Sequence, residues 1–135
     1  MSMEPIRAGV HVAAITPFTQ EGAIDTPYFA RLLAHFEAHG AQGVVVAGST
    51  GEGPSLSAPE KVQLYQLAVQ AKGRLQVIAG VLSCSLDEAL YLARQAAKAG
   101  MAIAQIEAEA AETRARAEFW RGLFNFMRAR PRFPL

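Results

Sequence analysis

The residues best suited to chemistry form a short loop with two adjacent hydroxyls, Gly48-Ser49-Thr50-Gly51. It follows Val44–Ala47, an apolar run typical of a parallel strand that is buried on both faces. Ligands bind where such strands end. Ser49 and Thr50 could offer hydroxyls to a small anion such as a carboxylate, and the flanking glycines could expose backbone N–H groups. A glycine-rich turn with only local hydrogen bonds explains the same residues equally well.

Other reactive residue types give weaker signals. The loop matches neither G-x-x-x-x-G-K-[ST] nor G-x-G-x-x-G, so we expect no nucleotide phosphate there. His35 and His39 have the i, i+4 spacing of metal ligands, but without H-E-x-x-H or a third ligand they indicate a solvated helix face. Cys84 has no basic or histidine neighbour in sequence that would activate a thiol. From the residues alone we therefore expect neither a metal site at the two histidines nor a nucleophilic thiol.

The lysines are equally unpromising as nucleophiles. Lys61, Lys72 and Lys98 all fall on or at the end of predicted helices, among polar neighbours. A nucleophilic lysine needs a desolvated pocket or a cationic neighbour. We expect none of the three to be catalytic.

The elements that would position the loop repeat three times. Apolar strands are predicted at Gly9–Ile15, Gly43–Ala47 and Leu75–Val81. The following helices start at Asp25, at a Ser57/Glu60 capping box and at a Ser85/Glu88 capping box. The expected inward faces are Phe29, Leu32, Leu33 and Phe36 on the first helix, and Leu86, Ala89, Leu90, Ala93 and Ala97 on the third. Strands and helices that alternate in this way predict a parallel sheet, either doubly wound or closed into a barrel.

The pattern changes after Gly100. Residues 101–106 could form a weak fourth strand, and 107–128 predict one helix with an apolar stripe at Trp120, Leu123, Phe124 and Met127. The sequence thus divides into βα units over residues 1–100 and a divergent helical tail over 101–135.

Over about residues 5 to 100, the order and spacing of these motifs resemble the dihydrodipicolinate synthase / N-acetylneuraminate lyase family. The matching pieces are Thr16-Pro17-Phe18 with Gly22–Asp25, Gly43–Glu52 with Ser57 and Glu60, and Val77–Val81 with Ser85 and Glu88. The resemblance implies a partial (β/α)₈ TIM barrel, an oligomer and class I aldolase chemistry, in which a lysine forms a Schiff base with pyruvate or another 2-oxo acid. It also implies that Ser49 and Thr50 bind the substrate carboxylate, that Gly48 and Gly51 shape the loop, and that no cofactor is needed.

The chain departs from the family pattern where covalent chemistry is expected. The stretch that corresponds to the family's Pro-Pro-Tyr-Tyr-like segment, residues 101–111, has neither proline nor tyrosine, and the later strand that carries the Schiff-base lysine is absent. We therefore expect a truncated chain that is inactive alone and binds pyruvate weakly at best. The alternative is a non-catalytic half-barrel assembly or binding module, which would pair with another copy or with the missing half to cover its sheet edges and its apolar C-terminal helix.

Composition narrows the remaining function classes. The 135 residues carry a net charge of +1, which gives no electrostatic footprint for nucleic acid. No apolar run reaches the roughly 18 residues that a membrane span needs, and residues 1–7 do not resemble a signal peptide. One cysteine cannot form an internal disulfide, which favours a reducing compartment. We therefore expect a cytoplasmic protein.

Overall fold

The computed structural model describes residues 5–103. The strands are β1 (His11–Ala13), β2 (Gly43–Val46), β3 (Gln76–Ala79) and β4 (Ala102–Ile103), and the helices are α1 (Thr26–Ala38), α2 (Ala58–Ala71) and α3 (Leu86–Lys98). A short 3₁₀ turn at Gly53–Ser55 precedes α2. The predicted alternation of strands and helices is confirmed, and the weak fourth strand is present with two paired residues.

The four strands form one parallel sheet in the order β1-β2-β3-β4. Each new strand is added on the same side of its predecessor, as happens around a (β/α)₈ barrel. A doubly wound sheet instead reverses direction at a switch point. The sequential order favours the first strands of a barrel, a choice that the sequence pattern alone left open.

Local sequence signals account for most helix starts. Asp25 caps α1 by accepting a hydrogen bond from the backbone N–H of Tyr28 at 2.9 Å. Ser57 and Glu60 form the predicted capping box at α2, with the Ser57 N–H donating to the Glu60 carboxylate at 2.7 Å. The expected box at α3 is only half formed. Ser85 caps the Glu88 N–H, but the Glu88 carboxylate accepts its hydrogen bond from Ser83 Oγ instead.

The core lies between the sheet and the helices, since α2 packs against β2, β3 and both neighbouring helices. Its largest fully buried side chains on the helices are Phe29, Leu33, Leu64, Tyr65 and Leu92. On α1 the prediction is confirmed, with Phe29 and Leu33 buried and Leu32 and Phe36 half-buried.

The predicted inward face of α3 is confirmed only in part. Ala93 is buried and Ala89 and Ala97 are half-buried, as expected. Leu86 and Leu90 are instead 75% and 43% exposed, and Leu92 and Ala96, which were not predicted to face inward, are buried. The helix has apolar residues on two faces, and periodicity could not tell which of them meets α2 and the sheet.

Candidate functional site

The candidate site lies where β1, β2 and β3 end. Parallel strands bring the segments that follow them to one edge of the sheet, so residues 14–18, 47–53 and 80–85 become neighbours. Hydrogen bonds continue the sheet pattern beyond the strands, from the Ala14 N–H to the Val45 carbonyl at 3.0 Å and from the Gly80 N–H to the Val46 carbonyl at 2.7 Å. The three segments are therefore fixed to one another before any ligand is considered.

The loop after β2 is a compact turn between two strained residues. Ala47 and Glu52 have φ values of 54° and 57°, in the left-handed region that side chains disfavour. Non-glycine residues in this region cost about 1–3 kcal/mol each and persist only where the surroundings enforce them. Inside the turn, the Gly53 N–H donates to the Gly48 carbonyl at 2.9 Å and the Glu52 N–H to the Ser49 carbonyl at 3.1 Å. The loop conformation is thus set by its own backbone and by its neighbours.

Thr16 is the neighbour that holds the loop from the β1 side. Its hydroxyl, 5% exposed, donates to the Gly51 carbonyl at 2.6 Å. The two segments also pack so tightly that a Cβ on Gly51 would lie 2.8 Å from the Ala14 carbonyl oxygen. In the sequence, Thr16 was notable only as part of the Thr16-Pro17-Phe18 motif. Its partner is 35 residues away in the chain, so no local signal revealed this role.

The two expected carboxylate-binding residues have free polar groups. Ser49 and Thr50 are exposed, and neither hydroxyl has a hydrogen-bond partner within residues 5–103. The same holds, within that range, for the backbone N–H groups of Ser49, Thr50 and Gly51. Two hydroxyls and three adjacent amides are donors of the kind that bind a small anion.

The loop glycines differ in what they require. Gly51 must lack a Cβ because of the Ala14 carbonyl, whereas a Cβ on Gly48 would make ordinary contact with Val45 Cγ1 at 3.5 Å. Gly53 is more constrained, since a Cβ there would collide with the Ala47 carbonyl oxygen. Of the two glycines expected to shape the loop, Gly51 has the stronger steric reason.

The segment after β3 is held by two side chains from α2. The Tyr65 hydroxyl donates to the Gly80 carbonyl at 2.7 Å, and Lys61 Nζ donates to the Leu82 carbonyl at 2.7 Å. Burial, aided by the negative charge of Glu88, raises the pKa of Tyr65 to about 12. The hydroxyl therefore remains a hydrogen-bond donor throughout the physiological range.

The expected polar surroundings of Lys61 are wrong. The side chain is 2% exposed, lies on the buried face of α2 and reaches the backbone beyond the end of β3. Helix periodicity puts Lys61 on the same face as Leu64 and Tyr65, which lie three and four residues later. The polar residues beside Lys61 in the sequence did not indicate this buried position. Its ammonium group is engaged with a backbone carbonyl, and the expectation that no lysine of this chain is catalytic stays a prediction.

The remaining candidates do not come together at one site. His35 and His39 are exposed on α1 and stack with ring centroids 4.1 Å apart, while His39 Nδ1 contacts the His35 carbonyl. Cys84 is exposed in the segment between β3 and α3. Within residues 5–103 no group of three His, Cys, Asp or Glu side chains could hold a metal ion.

Two further predictions concern a membrane span and the C-terminal helix. None of the helices among residues 5–103 is long and apolar enough to cross a membrane. The helix and apolar stripe expected over 107–128 lie outside the described residues.

Comparison with known proteins decides the family. The model of the dihydrodipicolinate synthetase family matches residues 7–106. The chain belongs to the dihydrodipicolinate synthetase family. It is 46% identical over 92 residues to the 4-hydroxy-tetrahydrodipicolinate synthase of Parasynechococcus marenigrum, a match that covers 67% of this chain and 30% of that relative.

Solved structures agree with the family assignment. The N-acetylneuraminate lyase of Proteus mirabilis matches with a TM-score of 0.69 and 31% identity, over 72% of this chain and 33% of the other. The chloride-inhibited dihydrodipicolinate synthase of Acinetobacter baumannii, complexed with pyruvate, matches with a TM-score of 0.66 and 30% identity, over 69% and 32%. This family member therefore spans about a third of the length of the proteins that it matches.

Proposed function

We propose that residues 5–103 supply the carboxylate-binding part of a pyruvate-dependent Schiff-base lyase site that resembles 4-hydroxy-tetrahydrodipicolinate synthase. The observation that carries the proposal is the group of free donors on Ser49, Thr50 and Gly51, at the end of β2 in a chain of this family. The complex of a related synthase with pyruvate supports a 2-oxo acid as the ligand.

Ser49 and Thr50 have a binding role in this proposal rather than a covalent one. Their hydroxyls and the loop amides would donate hydrogen bonds to the carboxylate of the 2-oxo acid and orient its carbonyl carbon. Formation of the Schiff base needs a lysine that this sequence does not provide at a matching position. We therefore propose that the chain alone holds pyruvate without reacting with it.

The free energy available to such a site is small. Each solvent-facing hydrogen bond contributes about 0.5–1.5 kcal/mol net, so three give at most about 4.5 kcal/mol. Before association entropy is subtracted, this corresponds to a dissociation constant of about 0.5 mM. Binding at millimolar concentration or weaker is the expected result.

The test is a pyruvate titration of the ¹⁵N-labelled chain, followed at the amides of Ser49 to Glu52. Methyl pyruvate, which lacks the carboxylate, is the matched control ligand. Shifts with pyruvate but not with the ester support the proposal, and equal responses to both contradict it. Saturation at micromolar pyruvate would instead show a more complete site than the one proposed.

A second experiment tests the absence of covalent chemistry. Pyruvate and borohydride are added together, and the intact mass is measured. We expect no pyruvyl adduct on Lys61, Lys72 or Lys98. A stoichiometric adduct would overturn this part of the proposal.

The alternative function is a non-catalytic module that assembles with a second copy of the chain. Two observations favour it: within residues 5–103 β1 pairs only with β2 and β4 only with β3, and α3 exposes Leu86, Leu90 and Tyr91. Unpaired strand edges and exposed apolar side chains are features of assembly surfaces. Sedimentation at micromolar concentration decides, with Leu86→Glu as the variant expected to dissociate the assembly. A stable monomer of the unaltered chain would contradict this alternative.

A further inference from the structure

Two buried side chains of α2 act on the same backbone segment. Lys61 and Tyr65, here called the α2 clamp, lie four residues apart and therefore on one face of the helix. Both donate to carbonyls of the segment that follows β3, Tyr65 to Gly80 and Lys61 to Leu82, each at 2.7 Å. Their partners are 15 and 21 residues further along the chain, so the clamp joins elements that the sequence separates.

The clamped segment supports the base of the Ser49–Thr50 loop. The Gly80 N–H donates to the Val46 carbonyl at 2.7 Å. Backbone contact is so close that a Cβ on Gly80 would lie 2.5 Å from the Ala47 carbonyl oxygen and 2.6 Å from Gly48 N. A shift of Gly80 must therefore be transmitted to Ala47, the strained residue at which the loop begins.

The other end of the segment is tied to α3. Ser83 Oγ donates to the Glu88 carboxylate and accepts a hydrogen bond from the Ser85 N–H at 3.0 Å. The Glu88 carboxylate makes this bond instead of the bond to the Ser85 N–H that would complete a capping box. The segment from Gly80 to Ser85 is thus held from α2 on one side and from α3 on the other.

Packing alone does not explain a lysine in the clamp. A buried ammonium group has three donors, and only one acceptor meets Lys61 in the described part of the chain. Burying a charge with so little compensation is costly, whereas an apolar side chain of similar length would fill the space at lower cost. What Lys61 adds is a directional bond to one carbonyl, which defines the position of the segment.

We propose that Lys61 and Tyr65 are positioning residues for the Ser49–Thr50 loop, acting through the backbone of Gly80. The ligand-binding part of this inference rests on the proposed function, since the loop is taken to bind a carboxylate. The mechanical part does not, because it concerns only how the two backbone segments hold each other.

The test compares amide hydrogen exchange in Lys61→Met and Tyr65→Phe with exchange in the unaltered chain. Lys72→Met and Tyr28→Phe are the matched controls, since both residues lie outside the clamp. The expected result is exchange about tenfold faster at Gly80 and Gly53, without a matching change at Leu33 and Leu64. Helix amides report global opening, so this local pattern separates positioning from general destabilisation.

Two outcomes would overturn the inference. Equal acceleration at Gly80, Gly53, Leu33 and Leu64 would mean that the clamp only stabilises the fold, and unchanged exchange at Gly80 and Gly53 would mean that it does not hold the segment. Tyr65→Phe removes a single oxygen, so it decides the question if Lys61→Met does not fold.

Pyruvate titration of the same variants tests the link to binding. Loss of the clamp should weaken the pyruvate response of the Ser49–Glu52 amides by about threefold or more, while the control variants keep it. Unweakened binding in a clamp variant with accelerated exchange would refute the functional link. Amides of the unaltered chain that ignore pyruvate would count against the proposed function, and the exchange pattern would still decide the positioning role.

Discussion

The two ends of the sheet handle their polar groups in opposite ways. At the N-terminal end, Gln76 accepts from the Arg7 N–H at 2.8 Å and donates to the Pro5 carbonyl at 2.9 Å. Gln42 similarly accepts from the Val10 N–H and donates to the Gly40 carbonyl. At the C-terminal end, side chains from neighbouring elements hold the carbonyls, while the donors of Ser49 and Thr50 have no partner within the described range.

Under the proposed function, this difference separates stability from binding. At the N-terminal end, the side-chain amides of Gln42 and Gln76 bond backbone groups that precede the strands. The oxygen and the nitrogen of each amide both have a hydrogen-bond partner. At the C-terminal end the scaffold is equally well bonded, but the donors of Ser49 and Thr50 remain exposed, and in the proposed function they bind the carboxylate. The same division of roles between the two faces is general for βα barrels.

The largest expected effect comes from Gly80→Ala, which disturbs the close contact between the segment after β3 and the loop after β2. The added methyl group would lie 2.5 Å from the Ala47 carbonyl oxygen, so backbone must move. We expect a loss of at least about 3 kcal/mol in the free energy of unfolding, measured by urea denaturation. Gly48→Ala is the control, with a change within about 0.5 kcal/mol. Similar losses in both variants would show that the close contact at Gly80 does not limit stability.

Alkaline pH should weaken the same end through Tyr65. Its pKa is about 12 in the folded chain against an ordinary value of 10.0, so between these values the folded state retains a proton that the unfolded state has lost. The stabilisation is complete below pH 10, falls as pH rises and amounts to about 2–3 kcal/mol. The measurement is the difference in unfolding free energy between the unaltered chain and Tyr65→Phe from pH 9 to 12. All other titrating groups contribute equally to the unaltered chain and to the variant, so they cancel in this difference. If the difference does not shrink as the pH rises, the pKa of Tyr65 is not raised in the folded chain.

A substitution at the opposite end tests whether the two ends are independent. Gln76→Met removes both hydrogen bonds of a buried amide and leaves the Arg7 N–H and the Pro5 carbonyl without that partner. We expect a loss of about 1–2 kcal/mol in unfolding free energy. The pyruvate response of the Ser49–Glu52 amides should not change. An altered response would show that the ends are coupled.

The smallest effect on stability is expected at the candidate site itself. Ser49→Ala and Thr50→Val remove hydroxyls without a partner in residues 5–103, so the unfolding free energy should change by no more than about 0.5 kcal/mol. Each variant should nevertheless weaken the pyruvate response of the loop amides. Destabilisation by about 2 kcal/mol would instead indicate a structural role for the hydroxyls.

Sequence was sufficient where the deciding interactions are local. The Asp25 cap and the Ser57/Glu60 box each join residues three positions apart, and both could be predicted from the residues alone. The position of the loop directly after β2 could also be predicted, whereas the binding of an anion by Ser49 and Thr50 stays a prediction.

Long-range contacts explain what the sequence did not reveal. The buried position of Lys61 depends on a carbonyl 21 residues away, and the role of Thr16 depends on a carbonyl 35 residues away. Two local donors, Ser83 Oγ and the Ser85 N–H, could bond the Glu88 carboxylate, and Ser83 does so. The capping-box pattern does not predict which of them it is. On α3, apolar residues on two faces left the direction of burial undecided until its neighbours were in place.

Cys84 has a practical consequence that follows from its position. It is the chain's one cysteine and lies exposed in the segment that the α2 clamp holds. A fluorophore or spin label attached to this thiol would therefore occupy a single site in that segment, without any prior change to the sequence. The mobility of that label would report the motion of the segment in the natural protein, in real time and at concentrations far below those that NMR requires.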